Sequence, residues 1–210
     1  MAGKLMVNRV EVGPWPMNSY VVICGDTNEG VVVDPGADAD KLIEALVGAK
    51  PVGIWITHTH GDHVGALDEL RGKLKVPVYA YDGPHLQDPK ADHVLKHGDE
   101  VKLGTHTARI YYTPGHIDDQ ICYAFLDADE ILVGDTVFAG GPGKTWSAEG
   151  FQTTLKTLRN VVLTWPDSCM CYPGHGPAFK LGDKRAEIHA FVERSLPADF
   201  YGDATWNMTD

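Results

Sequence analysis

The stretch Thr57-His58-Thr59-His60-Gly61-Asp62-His63 decides the fold of this chain. Three of the ten histidines lie within it, close together, and an aspartate lies among them. Imidazole nitrogens and carboxylate oxygens are ligands that zinc and similar divalent metals prefer. The stretch follows the predicted strand Val52–Thr57 and leads into a predicted helix, so a turn there can direct these side chains toward one point. We therefore predict a metal site at this strand end.

Three further candidate ligands stand where other predicted strands meet loops. They are His116, Asp135 and His175, which follow the predicted strands Thr105–Tyr112, Glu130–Gly134 and Asp167–Tyr172. Each has glycine or proline beside it, and these residues let the backbone turn sharply. Sites are commonly built from loops that a rigid scaffold holds. We expect four strand ends to supply ligands on one side of a sheet.

The rest of the chain mixes strands and helices in two similar halves, which suits a layered α/β sandwich. Gly25–Asn28 predicts a hairpin between the strands Tyr20–Cys24 and Gly30–Asp34. The segment Tyr81–Gly98 predicts a loop or a short helix. The predicted helices are Asp38–Val47, capped by Asp38, and then His63–Leu74, Ala148–Val162 and Gly182–Ser195. Since no linker-like segment interrupts the pattern, we predict a single domain over residues 1–210.

Composition excludes several classes of function. The 210 residues include 18 Lys and Arg against 29 Asp and Glu, a formal charge of −11. This balance argues against nucleic-acid binding and against docking on an anionic membrane. We find no targeting signal and no apolar run near the roughly 20 residues of a membrane span, so we predict a cytoplasmic protein. The four cysteines are too few for a disulfide framework, and Cys169 and Cys171 are predicted to be buried thiols.

One set of residues resembles the ligand pattern of the metallo-β-lactamase superfamily in order and rough spacing: His58, His60, Asp62, His63, His116, Asp135 and His175. The resemblance covers nearly the whole chain, because Asn18–Tyr20 and Val33–Gly36 also fit. It implies a four-layer αββα sandwich with a metal site at one edge.

The resemblance also implies a role for each side chain. One divalent metal falls to His58, His60 and His116, and a second to Asp62, His63 and His175, with Asp135 bridging both. The expected metal is zinc, with iron or manganese as alternatives. Two such ions would lower the pKa of a bridging water from about 15.7 to about 7 and supply a hydroxide nucleophile. Asp62 and Asp135 are the expected catalytic carboxylates, and Asp34 is expected to orient a histidine through a hydrogen bond.

Within the superfamily, Gly134–Phe138 and Gly141–Lys144 resemble the glyoxalase II group, which hydrolyses hydroxyacylglutathione thioesters. This implies that Lys144 meets a glutathione carboxylate and that Trp146 forms an aromatic wall. A solvated loop lysine and a core tryptophan are the alternatives. The sequence departs from the group at Ile117–Gln120 and at Gly176-Pro177, and only about one helix and a tail (196–210) follow His175.

These observations predict a short, single-domain thioester hydrolase with a small-molecule substrate, for which a glutathione conjugate is one candidate. Two alternatives remain open. One is a persulfide dioxygenase that holds a single iron through His58, His116 and Asp135. The other is a lactonase or another ester hydrolase of the same fold. Antibiotic hydrolysis is disfavoured because no export signal is seen. A non-enzymatic role is disfavoured because all seven ligands are present.

Overall fold

The computed structural model describes residues 3–81 and 91–208, and in these residues the strands form two six-stranded sheets. The first sheet contains its strands in chain order: β1 (Leu5–Val12), β2 (Met17–Cys24), β3 (Glu29–Val33), β4 (Lys50–Trp55), β5 (Val78–Tyr81) and β6 (His93–Leu95). Neighbours are antiparallel from β1 to β3 and parallel from β3 to β6. The predicted hairpin between β2 and β3 is confirmed.

The second sheet has the spatial order β12-β11-β10-β9-β8-β7. Its strands are β7 (Glu100–Leu103), β8 (His106–Tyr112), β9 (Ile121–Phe125), β10 (Glu130–Gly134), β11 (Met170–Pro173) and β12 (Phe179–Lys180). Only the β10–β11 pair is parallel among these described strands. The connection between these two strands crosses the outer face of the sheet through a helix, as parallel pairing requires.

Helices cover the outer face of each sheet. They are α1 (Ala39–Ala45), α2 (Gly61–Val64) and α3 (Leu67–Leu74) on the first sheet, and α4 (Ala148–Asn160) and α5 (Leu181–Val192) on the second. A short 3-10 helix, Val162–Thr164, follows α4. Side chains of the two inner faces form a third core between the sheets. The layers are therefore αββα, and the predicted fold class is confirmed.

Stacked aromatic rings join the two sheets in this middle core. The Trp55 ring stacks on the Tyr123 ring at 4.9 Å and on the Phe125 ring at 5.8 Å between centroids. All three side chains are almost completely buried. Burying a large apolar side chain contributes about 1.5–3 kcal/mol. Trp55 is also the last residue of β4, so this contact fixes the point where the histidine-rich stretch leaves the sheet.

Two local predictions about the helices are wrong. Asp38 does not cap α1, because it adopts a left-handed φ of 54° and its carboxylate accepts from the backbone N–H of Gly13 at 3.0 Å. The predicted helix His63–Leu74 is two helices, α2 and α3. The chain breaks there because Ala66 N–H donates to the Pro35 carbonyl at 2.9 Å, outside any helix.

Two short strands were not predicted. Strand β6 lies inside the segment that predicted a loop or short helix, of which residues 82–90 lie outside the described part. Strand β12 is only two residues long. All four cysteines are free and buried, as predicted for Cys169 and Cys171. No helix in the described residues combines the length and the apolar character needed to cross a bilayer.

Candidate metal centre

Four strands end at one edge of the sandwich, and the loops that follow them carry the seven predicted ligands. The histidine-rich stretch follows β4, and the other three side chains come after β8, β10 and β11. The structure brings all seven together, in two groups that share Asp135. The strand ends therefore converge as expected.

The first group consists of His58, His60 and His116, whose ligand atoms all lie within 4.8 Å of one another. Nδ1 of His60 lies 3.1 Å from Nε2 of His58 and 2.9 Å from Nε2 of His116. His58 is buried and the other two are half-buried, so the group opens to solvent on one side.

The second group consists of Asp62, His63 and His175, which meet the same 4.8 Å limit. Nε2 of His175 lies 3.2 Å from Oδ2 of Asp62. His63 is completely buried, whereas Asp62 is exposed and His175 is half-buried. This group thus also has a buried side and an open side.

Asp135 stands between the two groups. Its Oδ2 lies 3.5 Å from Nε2 of His116 in the first group and 3.6 Å from Nε2 of His175 in the second. Its Oδ1 lies 3.5 Å from Nε2 of His63. One carboxylate therefore faces both sets of nitrogens at similar distances.

The donor set fits divalent metal ions. Nε2 of His63 and Oδ1 of Asp135 are buried without a hydrogen-bond partner in the described residues. An unsatisfied buried polar atom costs about 1–3 kcal/mol, a cost that a metal ion would remove. Ligands at about 2.0–2.1 Å from tetrahedral zinc lie roughly 3.3 Å apart, close to the distances above. The absence of a side chain at Gly174 leaves space for the Asp135 carboxylate, because a Cβ at Gly174 would lie 2.4 Å from Oδ1 of Asp135.

Oxygen atoms hold the ring nitrogens that point away from the centre. The contacts are His58 Nδ1 with Thr57 Oγ1 (3.1 Å), His63 Nδ1 with Asp34 Oδ2 (2.9 Å), His116 Nδ1 with the Lys144 carbonyl (2.7 Å) and His175 Nδ1 with the Pro16 carbonyl (3.1 Å). Such contacts fix the ring orientation and the tautomer of a metal-binding histidine.

Asp34 makes the most extensive of these contacts. Its carboxylate accepts from the backbone N–H of Thr57 at 2.7 Å, from the Thr57 hydroxyl at 2.6 Å and from Nδ1 of His63 at 2.9 Å. Asp34 is buried and has a φ of 51°. The structure thus places Asp34 behind His63, where it was expected.

Metal binding requires neutral imidazoles and ionised carboxylates, so an ion at the second group must displace a proton from His63. Burial lowers the pKa of His63, but the carboxylates of Asp34 and Asp135 outweigh it and raise that pKa to about 10. Burial and the neighbouring imidazoles hold the pKa of His58 well below its usual range. The hydrogen bond from His175 lowers the pKa of Asp62. Burial alone would raise the pKa of Asp135, but the contacts with His63 outweigh it and lower that pKa. Both carboxylates are therefore ionised at neutral pH.

Beside the two groups lies a cavity of about 440 Å³, lined by His116, Asp135 and His175 and by residues of the loop 138–144 and the chain near 203–205. Lys144 lines it, but its Nζ lies 3.2 Å from Oδ2 of Asp203. The same Nζ lies 5.1 Å from the centroid of the Trp146 ring. Trp146 is 64% exposed, so the alternative of a core tryptophan is wrong. Sequence reasoning missed Asp203, because the tail shows no periodicity.

A family model described as Metallo-beta-lactamase superfamily matches residues 12–175, a range that includes all seven side chains. The chain belongs to the metallo-beta-lactamase superfamily. The resemblance inferred from the ligand motif is thereby confirmed. The superfamily is one of metal-dependent hydrolases, and its fold binds divalent metals at histidine and aspartate sites of this kind.

Individual relatives agree with this membership. The chain is 33% identical over 190 residues to a probable metallo-hydrolase, YqgX, of Bacillus subtilis (strain 168), covering 80% of this chain and 89% of the relative. It is 34% identical over 172 residues to a hydroxyacylglutathione hydrolase of Rhodopseudomonas palustris (strain ATCC BAA-98 / CGA009), covering 76% and 67%. The crystal structure of the BLEG-1 B3 metallo-beta-lactamase superposes with a TM-score of 0.78 at 29% identity, covering 86% and 97%.

Proposed function

We propose that this metallo-beta-lactamase superfamily chain is a binuclear hydrolase that cleaves small thioesters. The observation that carries the proposal is the position of Asp135, whose Oδ2 lies at nearly equal distances from His116 and His175. A carboxylate shared in this way joins two three-residue groups into one site for a pair of ions. Two-metal sites are a common solution for metal-assisted hydrolysis.

The residues divide between the two proposed ions by proximity. His58, His60 and His116 would hold the first, Asp62, His63 and His175 the second, and Asp135 both. Zinc suits nitrogen and carboxylate ligands at these spacings and is the proposed metal. When bound, the two ions would supply Lewis acidity and a bound water of lowered pKa.

The chain's own side chains orient this chemistry and move protons. Asp34 holds His63 so that its Nε2 faces Asp135. Asp62 lies on the open side with its side chain 48% exposed. When only the first ion is bound, Asp62 holds no metal and its exposed carboxylate can exchange protons with solvent. We therefore propose Asp135 as the carboxylate that positions the reacting groups and Asp62 as the proton carrier of the one-metal form.

Two observations support thioesters as the substrate class. A relative that shares 34% identity is named hydroxyacylglutathione hydrolase. The exposed indole of Trp146 lines a second cavity that adjoins the site at His116, and its ring centroid lies 5.1 Å from the Lys144 ammonium. We propose that these two side chains flank the thiol portion of the substrate.

Metal content and thioester hydrolysis test the proposal together. The protein is loaded with zinc, its metal content is measured by elemental analysis, and thiol release is followed with S-D-lactoylglutathione and with ethyl thioacetate. We expect close to two metal ions per chain and hydrolysis that a chelator abolishes. Asp135→Asn is expected to lose activity, whereas Asp40→Asn, a change of an exposed residue in α1, serves as the matched control.

Two results would contradict the proposal in different ways. One iron per chain, with oxygen uptake on glutathione persulfide, would replace the hydrolase with the dioxygenase alternative. Cleavage of lactones without cleavage of either thioester would retain a metal-dependent hydrolase and reject the substrate class.

A further inference from the structure

The C-terminal tail, residues 196–208, packs against the loop that carries Lys144. Thr145 N–H donates to the Gly202 carbonyl at 3.1 Å, and Gly202 N–H donates to the Thr145 hydroxyl at 3.2 Å. Trp206 N–H donates to the Gly140 carbonyl at 3.0 Å. These bonds attach the tail to the loop on both sides of residue 203.

Trp206 is the main anchor of the tail. Its side chain is buried, its indole N–H donates to the Ala139 carbonyl at 3.1 Å, and its ring meets the Phe191 ring edge-on at 5.3 Å. The residues just before it, Asp203 to Thr205, are thereby held as one wall of the cavity beside His116 and His175.

This wall brings a carboxylate to the lysine of the cavity. Lys144 and Asp203 are the charged side chains among the described lining residues of this cavity, apart from the proposed metal ligands. Their 3.2 Å contact means that the ammonium expected to meet a substrate carboxylate already meets one from the chain. Asp203 is 81% exposed at its side chain, so it also faces any ligand that enters.

A second cavity, of about 360 Å³, adjoins the site through His116 and Trp146. Among its described lining residues the charged side chains are Asp118 and Glu149, with His116 the remaining titratable group. No lysine or arginine lines this cavity in the described part of the chain. The approaches to the site therefore offer more acidic than basic side chains.

We propose that Asp203 is a specificity-determining residue that occupies Lys144 and so favours thioesters whose thiol portion is neutral or cationic. The inference rests on the hydrolase function proposed above. An anionic thiol portion must displace Asp203 from Lys144 before it gains the ammonium. A cationic portion can meet the exposed Asp203 carboxylate without that displacement.

Three thioesters with the same acetyl group test this charge preference. They are acetylthiocholine (cationic), ethyl thioacetate (neutral) and S-acetyl-3-mercaptopropionate (anionic). With the zinc-loaded protein we expect kcat/KM to be lowest for the anion. Asp203→Asn should raise kcat/KM for the anion about fivefold, mainly through a lower KM. This factor corresponds to the interaction of two unit charges about 4 Å apart in water. The gain for the neutral thioester should be smaller.

Two further variants separate this role from a general effect of charge. Asp199→Asn removes the same charge from an exposed position in the same tail and is expected to leave the order of the three substrates unchanged. In a Lys144→Met background no ion pair has to be broken, so Asp203→Asn should improve the anionic substrate clearly less than it does when Lys144 is present. Thermal unfolding of each variant checks that the fold is intact.

Binding of S-methylglutathione gives a readout that does not depend on turnover, because this thioether cannot be hydrolysed. By calorimetric titration, Asp203→Asn is expected to bind it about fivefold more tightly than the unchanged protein does. Equal binding, with an unchanged order of substrates, would overturn the role of Asp203. A loaded protein that cleaves none of the thioesters would contradict the hydrolase proposal instead, while the titration still decides the role of Asp203.

Discussion

Nδ1 of His63 donates to Oδ2 of Asp34 over 2.9 Å, and both side chains are buried. This bond orients the ring so that Nε2 of His63 lies 3.5 Å from Oδ1 of Asp135. The backbone and the hydroxyl of Thr57 donate to the same carboxylate. Asp34 therefore links the first residue of the histidine-rich stretch, Thr57, to the last histidine of that stretch, His63.

Replacing Asp34 tests this link. Asp34→Ala leaves three donors without an acceptor, and we expect a loss of about 3 kcal/mol in the free energy of unfolding. The affinity for the second metal should fall about 10–100-fold. Asp34→Asn keeps an acceptor for Thr57 but presents an amide N–H to His63, so it should weaken metal binding similarly with a smaller loss of stability. Denaturant unfolding and zinc competition with a chelator measure the two effects. Equal zinc affinity of the unchanged protein, Asp34→Ala and Asp34→Asn would contradict the role of Asp34 in orienting His63.

Asp135→Ala removes the carboxylate that faces both groups. We expect the metal content to fall from about two ions per chain to one or fewer, as measured by elemental analysis. Thioester hydrolysis should fall about 100-fold or more, the scale seen when one group that stabilises the transition state is removed. A variant that retains two ions and full activity would reject Asp135 as the shared ligand.

His175→Ala distinguishes a two-metal hydrolase from a one-iron enzyme. His175 belongs to the second group, so the variant should keep the metal of the first group and lose the other. Hydrolysis is then expected to fall about 100-fold or more, whereas an oxygenase that uses only His58, His116 and Asp135 would keep most of its activity. The matched control is His189→Ala, which changes an exposed histidine of α5.

Removal of the metal should lower the stability of the chain. A ligand present at about a thousand times its Kd stabilises the folded state by about 4 kcal/mol. For a chain of this length that corresponds to roughly 10 °C in Tm. Scanning calorimetry before and after chelation measures the difference, and added zinc should restore it. An unchanged Tm would show that the seven side chains hold no metal tightly.

Trp206→Ala tests whether the tail is held as the structure indicates. Deleting a buried tryptophan side chain typically costs about 3–5 kcal/mol. The tail should then become sensitive to limited proteolysis. Trp15→Ala removes the same side chain from an 82% exposed position and should change stability by only about 0.5 kcal/mol or less. Equal stabilities of the two variants would contradict the anchoring role.

The sequence predicts the part of the site that is local. The four ligands of the histidine-rich stretch are neighbours in the chain, and the other three stand at ends of strands with clear β patterns, so their convergence follows from the sheet. Strand β10 is predicted to the residue for the same reason. The order of the layers followed from the resemblance to the metallo-β-lactamase superfamily. The histidine-rich stretch that carries this resemblance supplies four of the seven ligands.

What the sequence does not predict depends on contacts between distant segments. The break between α2 and α3 occurs where Gly65 closely approaches Gly36. A Cβ at Gly65 would lie 2.4 Å from the carbonyl oxygen of Gly36. The pair Lys144–Asp203 joins a loop to a tail without periodicity. The exposure of Trp146 likewise depends on where that loop runs. Such single contacts leave no repeating pattern in the sequence.

The order in which the seven side chains occur along the chain constrains when the site can form. Four of them are synthesised early, but about a hundred residues lie between His63 and His175, and a ribosome adds roughly 5–20 residues per second. For on the order of ten seconds, the nascent chain carries exposed histidines without their partners. The complete set of donors exists only after β11 has joined the second sheet. Under the two-metal proposal, both ions can be bound together only late in biogenesis, after the second half of the chain has been translated.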